Sequence, residues 1–209
     1  MLSLWPTKKG TSRARAACSV GPALMTTWAC ENAWQLCFAQ MANVETTDSM
    51  ARQLSVFVPC GALLWGGYLS ALHGCRRLHA AEREGAVGTA AGVFKLAMSM
   101  NAGWLSAASC IGSVLIVQST FGGISSTPSA VPIAFAAAAA GGGAAAASSW
   151  GPGCIGLGYA GAVAWALQAV RFGPNVPVDV RSAALIGLAT VGGACAFSIL
   201  SGGARKKVD

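Results

Sequence analysis

An acidic residue and two amides lie near the middle of a largely apolar segment that covers residues 20–42. A segment of that length matches the roughly 20 residues that a helix needs to cross a bilayer. Glu31, Asn32 and Gln35 lie near its middle, where lipid cannot satisfy them, so they must face protein, water or a ligand. Together with Trp28, the two amides share one helical face at positions i, i+4 and i+7. This face predicts a binding surface for a polar headgroup, for the metal of a porphyrin or chlorophyll, or for another helix.

Further candidate residues lie on the neighbouring apolar segments. Trp34 and Trp104 are close in sequence to polar groups and are suited to line a flat aromatic ligand. The neutral imidazole of His73 can ligate the metal of haem or chlorophyll, although histidines at a membrane boundary are more often simply solvated. Asn101 is a possible hydrogen-bond partner of Glu31 in a purely structural arrangement, which is the alternative to a ligand site. The candidate ligand- or pigment-binding residues are Trp28, Glu31, Asn32, Trp34, Gln35, His73, Asn101 and Trp104.

No sequence pattern indicates catalysis. The chain has no hydrolytic triad, no P-loop and no metal-ligand spacing, and its eight cysteines form no CxxC pair. Gly156, Gly158 and Gly161 match the spacing of a dinucleotide fingerprint, but they lie in an apolar segment with no preceding strand. We therefore interpret them as helix-packing residues and predict no enzyme activity, no catalytic residue and no metal site.

The composition is that of a membrane protein. The chain of 209 residues is 54% hydrophobic and 10% charged, with a mean hydropathy of +0.56, whereas soluble proteins carry about 25% charged residues. Its 27 glycines suit closely packed transmembrane helices. The net charge of +7 arises in tails and short loops, so it indicates membrane topology and no nucleic-acid partner.

These features predict an all-α integral membrane protein built as a bundle of five transmembrane helices. The predicted helices cover residues 20–42, 54–74, 96–118, 154–171 and 183–201. A charged loop is expected between the second and third helices. The uncharged segment 119–153 is predicted to be a connection, because three consecutive glycines and little besides alanine make 131–149 a poor transmembrane segment. Six helices would result if 131–149 crossed the membrane.

Both tails are basic. The N-terminal tail, residues 1–19, contains four basic residues and no acid; it resembles an organellar transit peptide, although we favour an uncleaved tail that anchors the first helix. The C-terminal tail covers 203–209. With five helices, ten of the 14 lysines and arginines fall on the side of the N-terminus, which places that end on the cytoplasm-equivalent side, the stroma or matrix of an organelle. With six helices the division becomes eleven against three, so charge leaves both counts open.

Two stretches resemble the tryptophan-rich sensory protein (TspO) family. They are Thr27–Trp34, which is similar to that family's Asn-x-x-Trp helix, and Asn101–Ala108, which is similar to its Gly-Trp-[Ile/Leu]-[Ser/Thr] helix; Asp179–Leu185 is a weaker match. The resemblance implies a five-helix bundle, often a dimer, that binds porphyrins or sterol-like ligands in an aromatic pocket. By position, it implies that Trp34 or Trp104 is a pocket tryptophan.

Two functions follow as hypotheses. The first, which we rank slightly ahead, is a non-catalytic accessory subunit of a large organellar complex in a thylakoid or mitochondrial inner membrane. Its partners would be lipids and other membrane subunits, and its cofactors chlorophyll or another tetrapyrrole, carotenoid or lipid. The alternative is a free-standing TspO-like receptor for a tetrapyrrole or sterol-like ligand, with a homodimer as one form. A transporter is the weakest hypothesis, because only Glu31 and a Pro59 kink resemble midplane transport features.

Overall fold

The computed structural model describes residues 12–41, 43–45, 48–84, 92–121, 129–150, 153–174 and 176–205. Within those ranges the chain forms six helices and no strand. They are α1 (Ser12–Met41), α2 (Met50–Arg83), α3 (Gly92–Thr120), α4 (Ala130–Trp150), α5 (Cys154–Phe172) and α6 (Val178–Arg205). The parts of the two predicted basic tails that fall in 1–11 and 206–209 lie outside the described residues.

The apolar character of the helices is that of an integral membrane protein. Four of the described helices, α2, α3, α4 and α6, are long and apolar enough to cross a membrane. The polar residues in the middle of α1 lower its hydropathy, and α5 carries Gln168 and Arg171. Large apolar side chains also point outward on most helices, as expected of a surface that faces lipid. Examples are Leu36, Leu69, Val93, Trp165, Ile186, Phe197 and Leu200. The all-helical class is thus observed, whereas the predicted count of five spans is not confirmed.

The segment 131–149 differs from its prediction, because it lies within the regular helix α4 instead of a connection. Packing explains why three consecutive glycines do not break this helix. A Cβ atom on Gly143 would lie 3.1 Å from Val191 and 3.2 Å from Val163, so the missing side chain lets α6 and α5 approach α4. Tertiary packing of this kind contributes more to helix stability in proteins than intrinsic propensity does.

Several helices extend beyond the predicted apolar segments. The charged stretch from Arg76 to Arg83, predicted to be a loop, forms the last turns of α2, where Leu78 and Ala81 continue the buried stripe. At its other end α2 begins after Ser49, whose side chain accepts a hydrogen bond from the backbone of Arg52 at 3.4 Å. α1 and α6 also begin earlier than predicted. The predicted bounds covered only the apolar residues suited to the hydrocarbon core. Helices continue past the membrane boundary wherever helix propensity and packing permit.

The first three helices pack one against the next, and α3, α4, α5 and α6 pack together as a group. α1 packs on α2, and α2 packs on α3. α3, α4 and α5 contact one another, and α6 packs against both α4 and α5. Within the described residues, the extensive contacts of α1 are with α2 alone, which leaves the opposite side of α1 at the edge of the bundle.

The closest approach in the bundle is between α3 and α5. A Cβ atom on Gly103 would overlap the backbone carbonyl oxygen of Tyr159, and one on Gly158 would overlap the Ser99 hydroxyl. The Ser99 hydroxyl lies 2.9 Å from the carbonyl oxygen of Leu96 and, across the interface, 3.1 Å from that of Cys154, so its single proton is shared between these two acceptors. Gly158 therefore packs against α3, as the sequence analysis expected of that spacing, whereas nothing lies within 4 Å of a Cβ atom at Gly161.

We predict that Gly103→Ala destabilises the protein, because the backbone of α5 must move to accommodate the methyl group. The expected loss is about 1–3 kcal/mol, measured by thermal or denaturant unfolding in detergent. Gly161→Ala is the matched control, since nothing lies within 4 Å of a Cβ atom at Gly161. Equal losses for the two variants would contradict a close α3–α5 contact.

An ion pair joins α2 to α3 at the end of the bundle where α3 begins. Lys95 is 3% exposed, and its ammonium group contacts the carboxylate of the half-buried Glu82. The sequence analysis did not pair Lys95 with Glu82. The pair forms because the last turns of α2 are helical and bring Glu82 opposite the first turn of α3.

Removing the carboxylate of Glu82 would leave the buried charge of Lys95 without a counter-charge. We expect Glu82→Gln to cost about 1–3 kcal/mol, measured as the free energy of unfolding in detergent. Glu84→Gln, at an exposed residue one position beyond the end of α2, should change stability by less than about 0.5 kcal/mol. A Glu82 variant as stable as the Glu84 variant would show that Lys95 does not depend on the pair.

Candidate functional site

The face of α1 that packs on α2 is built from small residues. Ala23 and Thr27 are buried there, and a Cβ atom on Gly67 of α2 would lie 3.3 Å from the Cβ atom of Cys30. The Thr27 hydroxyl donates to the carbonyl oxygen of Ala23 at 2.8 Å and lies 3.5 Å from that of Gly67. Ser70 donates to the same Ala23 carbonyl at 2.9 Å. These contacts fix how α1 is rotated about its axis.

That rotation turns the predicted polar face away from the bundle. Trp28, Asn32 and Gln35 are all exposed, and Glu31 is half-buried at the flank of the α1–α2 seam. The Asn32 amide donates to the carbonyl oxygen of Trp28 at 2.8 Å, which uses one of its four hydrogen-bonding positions. Glu31 and Gln35 have no hydrogen-bond or ion-pair partner among the described residues. The outward face of α1 therefore carries hydrogen-bonding capacity that the described chain leaves unused.

Two of the predicted tryptophans meet in a groove between α1, α2 and α3, with a volume of about 220 Å³. Trp34 packs against Phe38 with ring centroids 4.8 Å apart. Trp104 packs against Trp165 of α5 at 5.5 Å. The remaining lining is almost entirely apolar and comprises Met41, Phe57, Cys60, Leu64, Ala108, Ile111, Gly112 and Leu115. This groove suits a flat or aromatic apolar ligand.

The structure does not bring all the candidate residues together. His73 is exposed on α2 and Asn101 is half-buried on α3, and neither lines the tryptophan groove. Nor do Trp28, Glu31, Asn32 and Gln35 line it. Among the described residues no group of three or more histidine, cysteine or acidic side chains is placed to hold a metal ion. The candidates thus form two separate features, the outward polar face of α1 and the groove of Trp34 and Trp104.

A polar contact in the core was missed by the sequence analysis. The two tyrosines of the chain meet there, with the Tyr159 hydroxyl donating to the Tyr68 hydroxyl at 3.1 Å. The ring of Trp150 lies edge-on to Tyr159 at 5.8 Å. Both tyrosines lie in apolar segments, and a buried tyrosine hydroxyl usually requires a partner. From the sequence, the need of each hydroxyl for a partner could have indicated that the two tyrosines are neighbours.

A larger cavity was also missed. It has a volume of about 320 Å³ and lies between α3, α4, α5 and α6. Its walls come from ordinary alanine, valine and proline positions on four helices, so no local pattern in the sequence marks it. Part of its wall belongs to α4, the helix that the sequence analysis treated as a connection.

Comparison with protein-family models finds no match to this chain, and comparison with curated proteins and with solved structures finds none either. The resemblance to the tryptophan-rich sensory protein family therefore stays a prediction from the sequence. The evidence for function is therefore the geometry of the outward polar face of α1 and of the groove of Trp34 and Trp104.

Proposed function

We propose that this protein is a non-catalytic accessory subunit of a larger membrane complex and that it docks through the outward face of α1. The observation that carries this proposal is the exposure of Asn32 and Gln35 on a helix whose other side is already packed. The proposed complex is photosynthetic or respiratory, in a thylakoid or mitochondrial inner membrane, with the N-terminus on the stromal or matrix side.

The energetics favour a protein neighbour at this face. The proposal places α1 in the membrane beside α2, although the most apolar stretch of α1 is less apolar than those of α2, α3, α4 and α6. An amide exposed to hydrocarbon there lacks the hydrogen bonds that it makes in water, and each unsatisfied polar group costs several kcal/mol. An interhelical hydrogen bond between amides returns roughly 0.6–2 kcal/mol. The flanking Trp28 and Leu36, 47% and 77% exposed, supply apolar contact area around the amides. A polar helix of a second subunit satisfies both requirements.

A pigment at this interface is a further part of the proposal. Glu31, Asn32 and Gln35 provide oxygen atoms that can ligate the magnesium of chlorophyll, and His73 provides a nitrogen on a second exposed surface. These groups line neither the tryptophan groove nor the larger cavity, so in this proposal they would act where two subunits enclose the pigment.

The test is the migration of the chain after gentle detergent extraction. The wild-type chain should migrate with a large complex, and the double variant Asn32→Leu, Gln35→Leu should shift toward the size of the free chain. Two interhelical hydrogen bonds correspond to roughly 1.2–4 kcal/mol, about sevenfold to 700-fold in affinity. The absorption spectrum of the large fraction shows whether pigment is present.

Two controls make the outcome specific. Thr190→Val removes an exposed hydroxyl on α6 that is already bonded within its own helix, to Ile186 at 2.9 Å, and should leave migration unchanged. The double variant should also unfold within about 0.5 kcal/mol of wild type, because both side chains are exposed. A wild-type chain that migrates alone, or a double variant that stays in the complex, contradicts the proposal.

The second candidate function is that of a free receptor for a tetrapyrrole or sterol-like ligand, also in a dimeric form. It is favoured by one observation, the meeting of Trp34 and Trp104 in a single groove. Those are the tryptophans that the resemblance to the tryptophan-rich sensory protein family assigns to a pocket.

Protoporphyrin titrated into the purified chain should quench tryptophan fluorescence and show a shifted Soret band if this second function holds. Trp34→Leu should weaken binding by roughly fivefold or more, since an aromatic contact contributes about 1 kcal/mol beyond area burial. Trp28→Leu replaces an exposed tryptophan outside the groove and should have no effect on affinity. Unsaturable quenching, or equal effects of the two substitutions, counts against the receptor.

A further inference from the structure

The larger cavity lies at the end of the bundle where α3 ends and α4 and α6 begin. Gln118 is in the last turn of α3, Ser129 immediately precedes α4, and Pro177 immediately precedes α6, and all three line the cavity. The other end of the cavity reaches Ala107 of α3. At 1.5 Å per residue, Ala107 lies about 16 Å below Gln118 along the helix axis. The cavity is thus a long slot that runs from the bundle surface toward its middle.

The walls of this slot are aliphatic. They include a single aromatic ring, that of Phe135, and otherwise consist mainly of alanine, valine, leucine, isoleucine and proline side chains. A flat polycyclic ligand is usually held between aromatic rings, and the tryptophan groove is the place where this chain provides them. Aliphatic walls around a narrow slot suit an aliphatic chain. The volume of about 320 Å³ is at the lower end of the range for small-molecule sites, which favours one chain over two.

The two polar side chains that line the mouth, Gln118 and Ser129, are uncharged, and the Asp179 carboxylate lies beside them. Gln118 is half-buried and has no hydrogen-bond partner among the described residues, so its amide can both donate and accept. The Ser129 side chain lies within hydrogen-bonding reach of the Asp179 carboxylate, and its oxygen keeps lone pairs that can accept. The same carboxylate accepts from the backbone of Val180 at 2.9 Å.

These groups select the head of the ligand. A hydroxyl can donate to the Ser129 oxygen while it accepts from the Gln118 amide. A carboxylate head offers no proton to Ser129 and is repelled by Asp179. We therefore propose that the cavity between α3, α4, α5 and α6 binds a single-chain neutral amphiphile, an aliphatic chain with a hydroxyl head held by Gln118 and Ser129.

The test uses the full chain in phosphatidylcholine vesicles and a dodecanol analogue that carries a diazirine in its chain and a terminal alkyne. After illumination, labelled peptides are identified by mass spectrometry. We expect saturable labelling of residues that line the cavity, which unlabelled dodecanol suppresses. Dodecanoate, dioleoylglycerol and protoporphyrin should each compete at least tenfold more weakly, and dodecylamine should compete no more strongly than dodecanol.

Two variants locate the site. Ala136→Phe places a ring in the cavity and should abolish saturable labelling, whereas Ala138→Phe, at an exposed position on the same helix, should not. Gln118→Leu removes one hydrogen bond at a half-buried position and should weaken dodecanol roughly threefold to tenfold. Because this variant keeps the packing of the bundle, it remains informative if Ala136→Phe does not fold.

Several outcomes would overturn the proposal. Labelling that does not saturate, or that is equal in the Ala136 and Ala138 variants, would show partition into lipid without a site. Competition by dodecanoate as strong as that by dodecanol would contradict the neutral head, and stronger competition by dodecylamine than by dodecanol would assign the site to a cationic head. Equal competition by dioleoylglycerol or protoporphyrin would assign the cavity to a two-chain lipid or to a tetrapyrrole instead.

Discussion

The contact between α3 and α5 is the constraint on which the rest of the bundle depends. Gly103 and Gly158 bring the two helices so close that no side chain fits between them, and the Ser99 hydroxyl bonds across the interface to Cys154 at 3.1 Å. α3 also contacts α2 and α4, and α5 also contacts α4 and α6. Every other helix except α1 therefore packs directly against α3 or α5, so this pair determines where those helices lie. It also places Tyr159 where its hydroxyl reaches Tyr68 of α2 at 3.1 Å.

The larger cavity lies further along α3 than this contact. α3 and α5 are closest near Ser99 and Gly103, in the first half of α3. The cavity is lined by the second half of α3, from Ala107 to Gln118. Phe135 of α4 and Val170 of α5 line the cavity there. Packed interiors normally leave few voids of this size, and this one lies along α3 beyond its close contact with α5.

The sequence predicted the features that depend on local composition. The membrane class follows from hydropathy, the extent of α5 follows from its flanking turn signals, and the polar face of α1 follows from the spacing of Trp28, Asn32 and Gln35. Features that depend on tertiary packing were not predicted. Gly143 appears unfavourable for a helix until Val163 and Val191 are known to pack against it. The ion pair of Lys95 required the last turns of α2 to be helical.

The candidate site likewise combines a feature that the local sequence predicted with one that only the tertiary structure shows. The spacing of residues in α1 identified which side chains share a face, but it did not show whether that face points inward or outward. The seam with α2 determines the orientation, since Ala23, Thr27 and Cys30 meet Gly67 and Ser70 of α2.

This seam consists of small residues, and it is complete without the polar side chains. Packing within the bundle therefore gives no reason for two amides and a carboxyl group in the middle of α1. Replacing such groups with leucine would make α1 more soluble in lipid and would cost the α1–α2 contact nothing. A second polar surface that met them at the outer edge of the bundle would satisfy these groups, and this is why we propose a docking role for α1.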